Sequence, residues 1–279
     1  MGLFNMRYDR PGPGVAKDAP RKTGISRWFE IVGRDLWDFT KANLLTVLCF
    51  APTLIVAILA GVWLLLDPNL LILILGLVLG SSFGVLAGPG LCAMLSLMLK
   101  SLRDEPKFFW HTYKKAFRDN FRQGAVAGVV LCFVFLLQIF GFILYFRHTT
   151  SSFVLALLFL DVLLISMMVL FYFPQLVLLD LPTKAIFTNS LRLSLGLLPR
   201  SLPAAIIQIG LLGAQILFLP LTVPIFVIIG LWIPVFTGLF IIYKPLNDIF
   251  HIEEQFNIRR EAEMKAYSES SQDTTSSDE

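Results

Sequence analysis

The stretch Leu70–Leu99 contains no charged residue, and that feature excludes most ways this chain could fold. A helix crosses the ~30 Å hydrocarbon core of a bilayer with about 20 apolar residues, so the run is longer than one crossing needs. Comparable runs occupy 44–66, 124–146 and 153–179, the last interrupted only by Asp161. A chain of 279 residues with 25 Phe and 15% charged residues has too little polar surface to fold around such segments in water. The sequence therefore reads as all-α and polytopic, with lipid bathing its apolar faces. All-β, collagenous, disordered and disulfide-stapled architectures are excluded.

The last apolar stretch, Leu202–Tyr243, would be roughly 60 Å long as a single helix, twice the hydrocarbon thickness. Pro220 and Pro224 remove backbone donors near its middle, which divides it into spans of about 203–219 and 224–243. Six spans result, at about 44–66, 70–99, 124–146, 153–179, 203–219 and 224–243. They form a membrane domain over 25–250, between a flexible N-terminus (1–24) and a tail (251–279) expected to be disordered after about 267. Of the 23 Lys and Arg residues, all but Arg147 then fall on one side. The positive-inside rule makes that side cytoplasmic and places both termini there. A five-span alternative would send the basic C-terminal segment outside. No cleavable signal peptide is expected, because the first apolar run is long and begins far from Met1. Myristoylation is not expected either, since Met6 stands where Ser or Thr is wanted.

Three segments are expected at the membrane surface. Trp28, Phe29, Val32, Leu36 and Phe39 recur at helical spacing among charges, the pattern of an amphipathic interfacial helix. In the loop Lys100–Arg122, Trp110, Tyr113, Phe117 and Phe121 can share a face, with Lys107, Lys114, Lys115, Arg118 and Arg122 supplying charge. A third stripe joins Lys184, Thr188 and Arg192, with Phe187, Leu191, Leu195 and Leu198 available to bury. Two readings fit these loops: docking of a cytoplasmic partner, or anchoring on anionic lipid. Nucleic acid is a poor partner, because the charge is juxtamembrane and no recognition module surrounds it.

Inside the apolar runs, Gly76, Gly80, Gly84 and Gly88 recur every fourth residue, a stripe that lets another helix approach closely. That helix belongs either to this chain or to a second copy, which would make the stripe a homo-oligomer contact. Gly88-Pro89-Gly90 is expected to bend the second span, as a hinge, a re-entrant corner or the inner end of the span, with 91–99 then lying along the interface. Asp161 is the intramembrane polar candidate, with Gln138, Gln175, Gln208 and Gln215 as possible neighbours. Its alternative is an outer-interface position beside Arg147, if the span starts at 162. Gly80-Ser-Ser-Phe-Gly84 spells G-x-S-x-G, but an apolar helix is the wrong setting for a nucleophile at Ser82. Cys49, Cys92 and Cys132 fall inside spans and read as small buried hydrophobes. No catalytic, metal or cofactor residues are assigned.

Several segments resemble the YesL-like family of bacterial membrane proteins, a domain family without an assigned biochemical function. They are Lys41-Ala-Asn-Leu-Leu45, Gly88-Pro-Gly-Leu-Cys-Ala93, Lys100-Ser-Leu-Arg103 and Phe109 with Phe117-Arg-Asp-Asn-Phe-Arg-Gln123. Phe173-Pro174, Asp180, Asn189 and Leu198-Pro-Arg-Ser-Leu202 extend the resemblance. Ala57–Ala87 fills an interval that is shorter in compact members, so the chain resembles the longer type. The resemblance implies a bacterial plasma-membrane protein, accessory to carbohydrate uptake and associated with ABC transporter subunits. Two functions are carried forward. The first is a non-enzymatic accessory or regulator of such a transporter. The second is a small secondary transporter or channel that uses Asp161.

Overall fold

The computed structural model describes residues 22–148, 151–218, 225–226, 228, 230–258 and 260–262. Among them every regular element is helical: α1 (Gly24–Leu66), α2 (Leu70–Ser82), α3 (Gly84–Leu102), α4 (Phe109–Asp119), α5 (Phe121–His148), α6 (Ser152–Leu178), α7 (Thr183–Gly196), α8 (Leu198–Leu217) and α9 (Trp232–Phe250). Six of these are long and apolar enough to cross a membrane, namely α1, α3, α5, α6, α8 and α9, while α2 is a shorter apolar helix. The chain is thus an all-α, multi-pass membrane protein.

The amphipathic segment expected to lie on the membrane is instead the first part of α1, a continuous helix of 43 residues. At 1.5 Å per residue it is about 65 Å long, roughly twice the hydrocarbon thickness. Continuity follows from the stripe: Ile31, Asp35, Phe39, Ala42 and Thr46 keep helical spacing across the junction, and all are buried. The last apolar stretch is divided as well, with α8 ending at Leu217 and α9 beginning at Trp232. Pro220 and Pro224 lie outside the described residues.

The second apolar run is two helices, broken at Phe83. Ser81 and Ser82 donate to the carbonyls of Val78 (3.2 Å) and Leu79 (2.7 Å) in the last turn of α2, the side-chain competition that loosens a helix end. The helix does not break at Gly88, Pro89 and Gly90, since α3 runs through Pro89. Packing holds that segment helical from two sides. The α5 backbone lies against Gly88, Cys49 lies against Gly90, and Thr46 Oγ1 donates to the Gly90 carbonyl at 3.1 Å. Nor do residues 91–99 follow the interface: Cys92, Ala93, Met94, Leu97, Met98 and Leu99 are fully buried.

The glycine stripe meets α5. Gly76, Gly80, Gly84 and Gly88 are all buried, and the opposing row is Gly124, Gly128, Cys132, Leu136 and Phe140, again every fourth residue. Gly84 and Gly88 face the backbone of Gly124 and Gly128, while Gly76 and Gly80 face the larger Phe140 and Leu136. The two i±4 ridges interlock in an antiparallel crossing. Since the stripe is filled by the chain's own helix, it is not available to a second copy.

Two apolar cores result. One holds Ala57, Ala60, Leu64, Leu136 and Phe140, so it is built by α1 and α5 with α2 packed against them. The other gathers Ile31, Phe39, most of 91–102, Phe171, Ala204, Trp232, Phe236 and Leu246. Helices α8 and α9 contribute only to this second core. Asn43 sets their position: it is fully buried, and its Oδ1 accepts from the backbone N–H groups of Leu231 (2.8 Å) and Trp232 (3.1 Å). A side chain on α1 thereby satisfies donors that the first turn of α9 leaves open.

Candidate functional site

The end of the molecule formed by the start of α1 and the α3–α4 connection carries a network of ion pairs. The last turn of α3 closes through Asp104, whose φ of 57° is left-handed. Asp104 N–H donates to the Ser101 carbonyl at 3.3 Å and Glu105 N–H to that of Lys100 at 3.0 Å. This is the Schellman closure, with an Asp where Gly is commonest. The turn presents the Asp104 carboxylate to two guanidinium groups of α1, Arg27 at 2.5 Å and Arg34 at 2.6 Å. Burial raises the Asp104 pKa, but the hydrogen bonds from Arg34 and Arg27 outweigh it and hold the carboxyl below its ordinary value.

Behind this pair, Lys107 meets Asp35 at 2.9 Å, with side chains only 10% and 8% exposed. Lys107 also donates to the Ser101 hydroxyl and lies 5.4 Å from the centre of the Phe39 ring. Burial keeps its ammonium below the ordinary lysine value despite the attraction of Asp35. The C-terminal segment closes the far side. Arg103 pairs with Glu105 at 2.5 Å and stands 4.2 Å from the Phe256 ring centre, and Tyr243 donates to Glu253 at 3.3 Å. This network fixes the α3–α4 corner on α1.

On α4, Phe109, Thr112, Tyr113 and Ala116 are buried, whereas Trp110, Lys114, Lys115 and Arg118 are exposed, as is Arg122 at the start of α5. The expected aromatic face is therefore split. Tyr113 turns inward with Phe109, and Trp110 turns outward, with the Lys114 ammonium 5.7 Å from its ring centre. The reason is register: positions 109, 112, 113 and 116 form the stripe that α3 covers. On α7 the exposed Lys184 and Arg192 are accompanied by Phe187, Leu191 and Leu195, all exposed rather than buried. Its inward face is Ile186, Ser190 and Ser194. There Gln175 Nε2 donates to Ser190 Oγ at 3.1 Å, and Ser201 Oγ donates to the Ser194 carbonyl at 2.7 Å. The inward face thus carries two serines beside Ile186, while the outward face mixes Phe187, Leu191 and Leu195 with Lys184 and Arg192, as an element at a membrane surface does.

Of the intramembrane polar candidates, Gln138 and Asp161 come together: Gln138 Nε2 donates to Asp161 Oδ2 across the α5–α6 contact. Gln175 is elsewhere, with its amide on Ser190 and on the Phe171 carbonyl. Asp161 is exposed on α6, nine residues past the helix start at Ser152. Arg147 does not pair with it, because its guanidinium donates to the carbonyls of Leu65 and Leu66 at the end of α1. The Ser82 hydroxyl is taken by the Leu79 carbonyl. Cys49, Cys92 and Cys132 are free thiols, and among the described residues no group of three His, Cys, Asp or Glu is placed to hold a metal.

From the sequence, Asp35 and Lys107 counted only as surface charges and Asn43 only as part of the segment Lys41–Leu45; none was expected to be a buried contact. One signal was present for the first: Asp35 lies four residues from both Ile31 and Phe39, a charge within the buried stripe.

Residues 36–142 match the model of a family described as "Protein of unknown function, DUF624", and the YesL-like family is one of this kind. The matched region runs from within α1 to within α5 and contains Asn43, the glycine contact of α3 with α5, and the Asp104–Lys107 corner. No curated protein and no solved structure matches the chain.

Proposed function

We propose that this protein is a non-enzymatic component of the bacterial plasma membrane that assists or regulates an ABC transporter for carbohydrate uptake, with its basic end and both termini in the cytoplasm. The observation that carries this reading is the build of α4. One face is packed on α3 by Phe109, Thr112 and Tyr113, and the opposite face offers Trp110, Lys114, Lys115 and Arg118 to the outside. A rigidly seated helix with an exposed aromatic and several cations suits docking on an acidic partner surface. The transporter itself rests on the family resemblance. Anionic lipid is the competing occupant of the same cations, at about 1 kcal/mol per residue near the surface.

Mild crosslinking in native membranes followed by purification tests the proposal. Recovery of transporter subunits that falls when Lys114, Lys115 and Arg118 are changed to Glu supports it. Repeated absence of any such subunit from the wild-type complex overturns it.

The second reading, transport through an intramembrane carboxylate, is favoured by the Gln138–Asp161 contact between apolar helices. Its difficulty is position, since Asp161 is on the outside of the bundle. Reconstituted solute flux that is the same in Asp161→Asn as in the wild type would remove Asp161 from any such path.

A further inference from the structure

Asp161 sits deep in the apolar region, and two helices agree on how deep. It is nine residues from Ser152 at the start of α6, which is about 14 Å. Its partner Gln138 is ten residues before His148 at the end of α5, about 15 Å. The polar edge on that side is marked by Arg147, which is held at the Leu65 and Leu66 carbonyls. Measured from those helix ends, the carboxylate lies about half of a ~30 Å hydrocarbon thickness along the apolar helices.

At that depth a carboxylate is costly and ordinarily faces the interior of a bundle or another polar group. Here it faces outward. Its hydrogen-bond partner among the described residues is the Gln138 amide, although a carboxylate accepts about four such bonds. The surrounding surface is a shallow groove lined by Val154, Leu157, Leu158, Leu160 and Leu164. Only 11% of the most apolar window of α6 is buried, the smallest share among the candidate spans. The outer face of α6 thus presents one polar group, bonded on one side by Gln138, in an otherwise apolar surface.

We infer that Asp161, oriented by Gln138, anchors a docking face on α6 for a transmembrane helix of another protein that carries a Lys or Arg at matching depth. Charge complementarity selects this occupant. A second copy of the chain would bring another carboxyl and no cation to the contact. The apolar runs contain no Lys or Arg at that depth, and Arg147 is engaged on α1. Gln138 turns the carboxylate toward the groove, and the leucines supply the apolar contact on either side of the ion pair. This inference goes beyond the accessory reading, because it stands whether or not the partner is a transporter.

The test reconstitutes the purified protein in vesicles with a synthetic Leu-rich transmembrane peptide bearing a single Lys about 14 Å from one end, and reads association by fluorescence energy transfer. A peptide with Leu in place of that Lys, and one with the Lys at its terminus, serve as controls. The mid-depth Lys peptide is expected to associate at least about tenfold more strongly than either control, given the cost of an unpaired charge at this depth. Asp161→Asn should abolish the preference while leaving thermal unfolding unchanged. Should Asp161→Asn prove unstable, Leu157→Trp fills the groove from its rim and should weaken the same association. Equal association of all three peptides with the wild type overturns the proposal. Self-association of the wild-type protein that disappears in Asp161→Asn also overturns it, by making the occupant a second copy.

Discussion

Alanine at Gly88 perturbs the closest of the glycine contacts among the described residues. Its Cβ would stand 2.8 Å from both the Gly124 carbonyl carbon and Gly128 Cα, and closer still to the Gly124 carbonyl oxygen. Carbon atoms settle at about 3.5–4.0 Å, so α3 and α5 must separate by roughly 1 Å. The obstacle is backbone and cannot rotate away. Overpacking of this kind costs about 1–3 kcal/mol, and a backbone clash belongs at or above the top of that range. The better helix propensity of Ala returns about 1 kcal/mol, leaving a net loss of about 2 kcal/mol. At 2–4 °C per kcal/mol for a chain this large, Tm should fall by about 5 °C. Cys92 and Cys132 are fully buried and report the loss of packing through a thiol-reactive dye during heating in mild detergent. The control is Gly33→Ala, where no atom lies within 4 Å of the new Cβ. It should stabilise by about 0.5–1 kcal/mol. If Gly88→Ala unfolds at the same temperature as Gly33→Ala or higher, close helix approach is not what the stripe provides.

Three further outcomes are expected. Lys107→Met leaves the buried Asp35 carboxylate with Arg34 as its remaining cation, at 3.0 Å, and should cost about 1.5–3 kcal/mol, and adding Asp35→Leu should recover part of that loss in denaturant or thermal unfolding. Asn43→Leu strips the Leu231 and Trp232 N–H groups of their acceptor, with an expected loss of about 1–3 kcal/mol and faster proteolysis between α8 and α9. Leu231 and Trp232, where α9 begins, meet α1 at Asn43, about 35 Å short of its Leu66 end. Phe218→Cys should accordingly resist an impermeant maleimide added on the Arg147 side while Asp67→Cys is labelled, and labelling of both would show that the connection reaches that side.

Much of the fold could be read from local pattern, because in lipid each spanning segment must satisfy its own backbone and therefore announces itself as a long apolar run. The helices α5 and α6 follow 124–146 and 153–179 closely for that reason. The glycine stripe announced a close contact, since Gly every fourth residue has few other uses in an apolar helix. Breaks were harder to place. Pro89 looked like the weak point of the second run, yet contacts from α1 and α5 hold it helical, and the break fell at Phe83, where serine hydroxyls compete for carbonyls. The register of α4 was also hidden: Trp110 and Phe109 are equally apolar in sequence, and only the position of α3 selects Phe109 for burial.

By itself, the sequence determined the class, the apolar helices and the one-sided distribution of basic charge, all of which depend on residues near one another in the chain. Tertiary structure alone decided that the stripe is filled by α5, that Asn43 holds the start of α9, that Asp35 meets Lys107, and that Asp161 faces outward beside Gln138. Each of these depends on which helix lies alongside and at what height. That is a property of packing between distant segments, and no local periodicity encodes it.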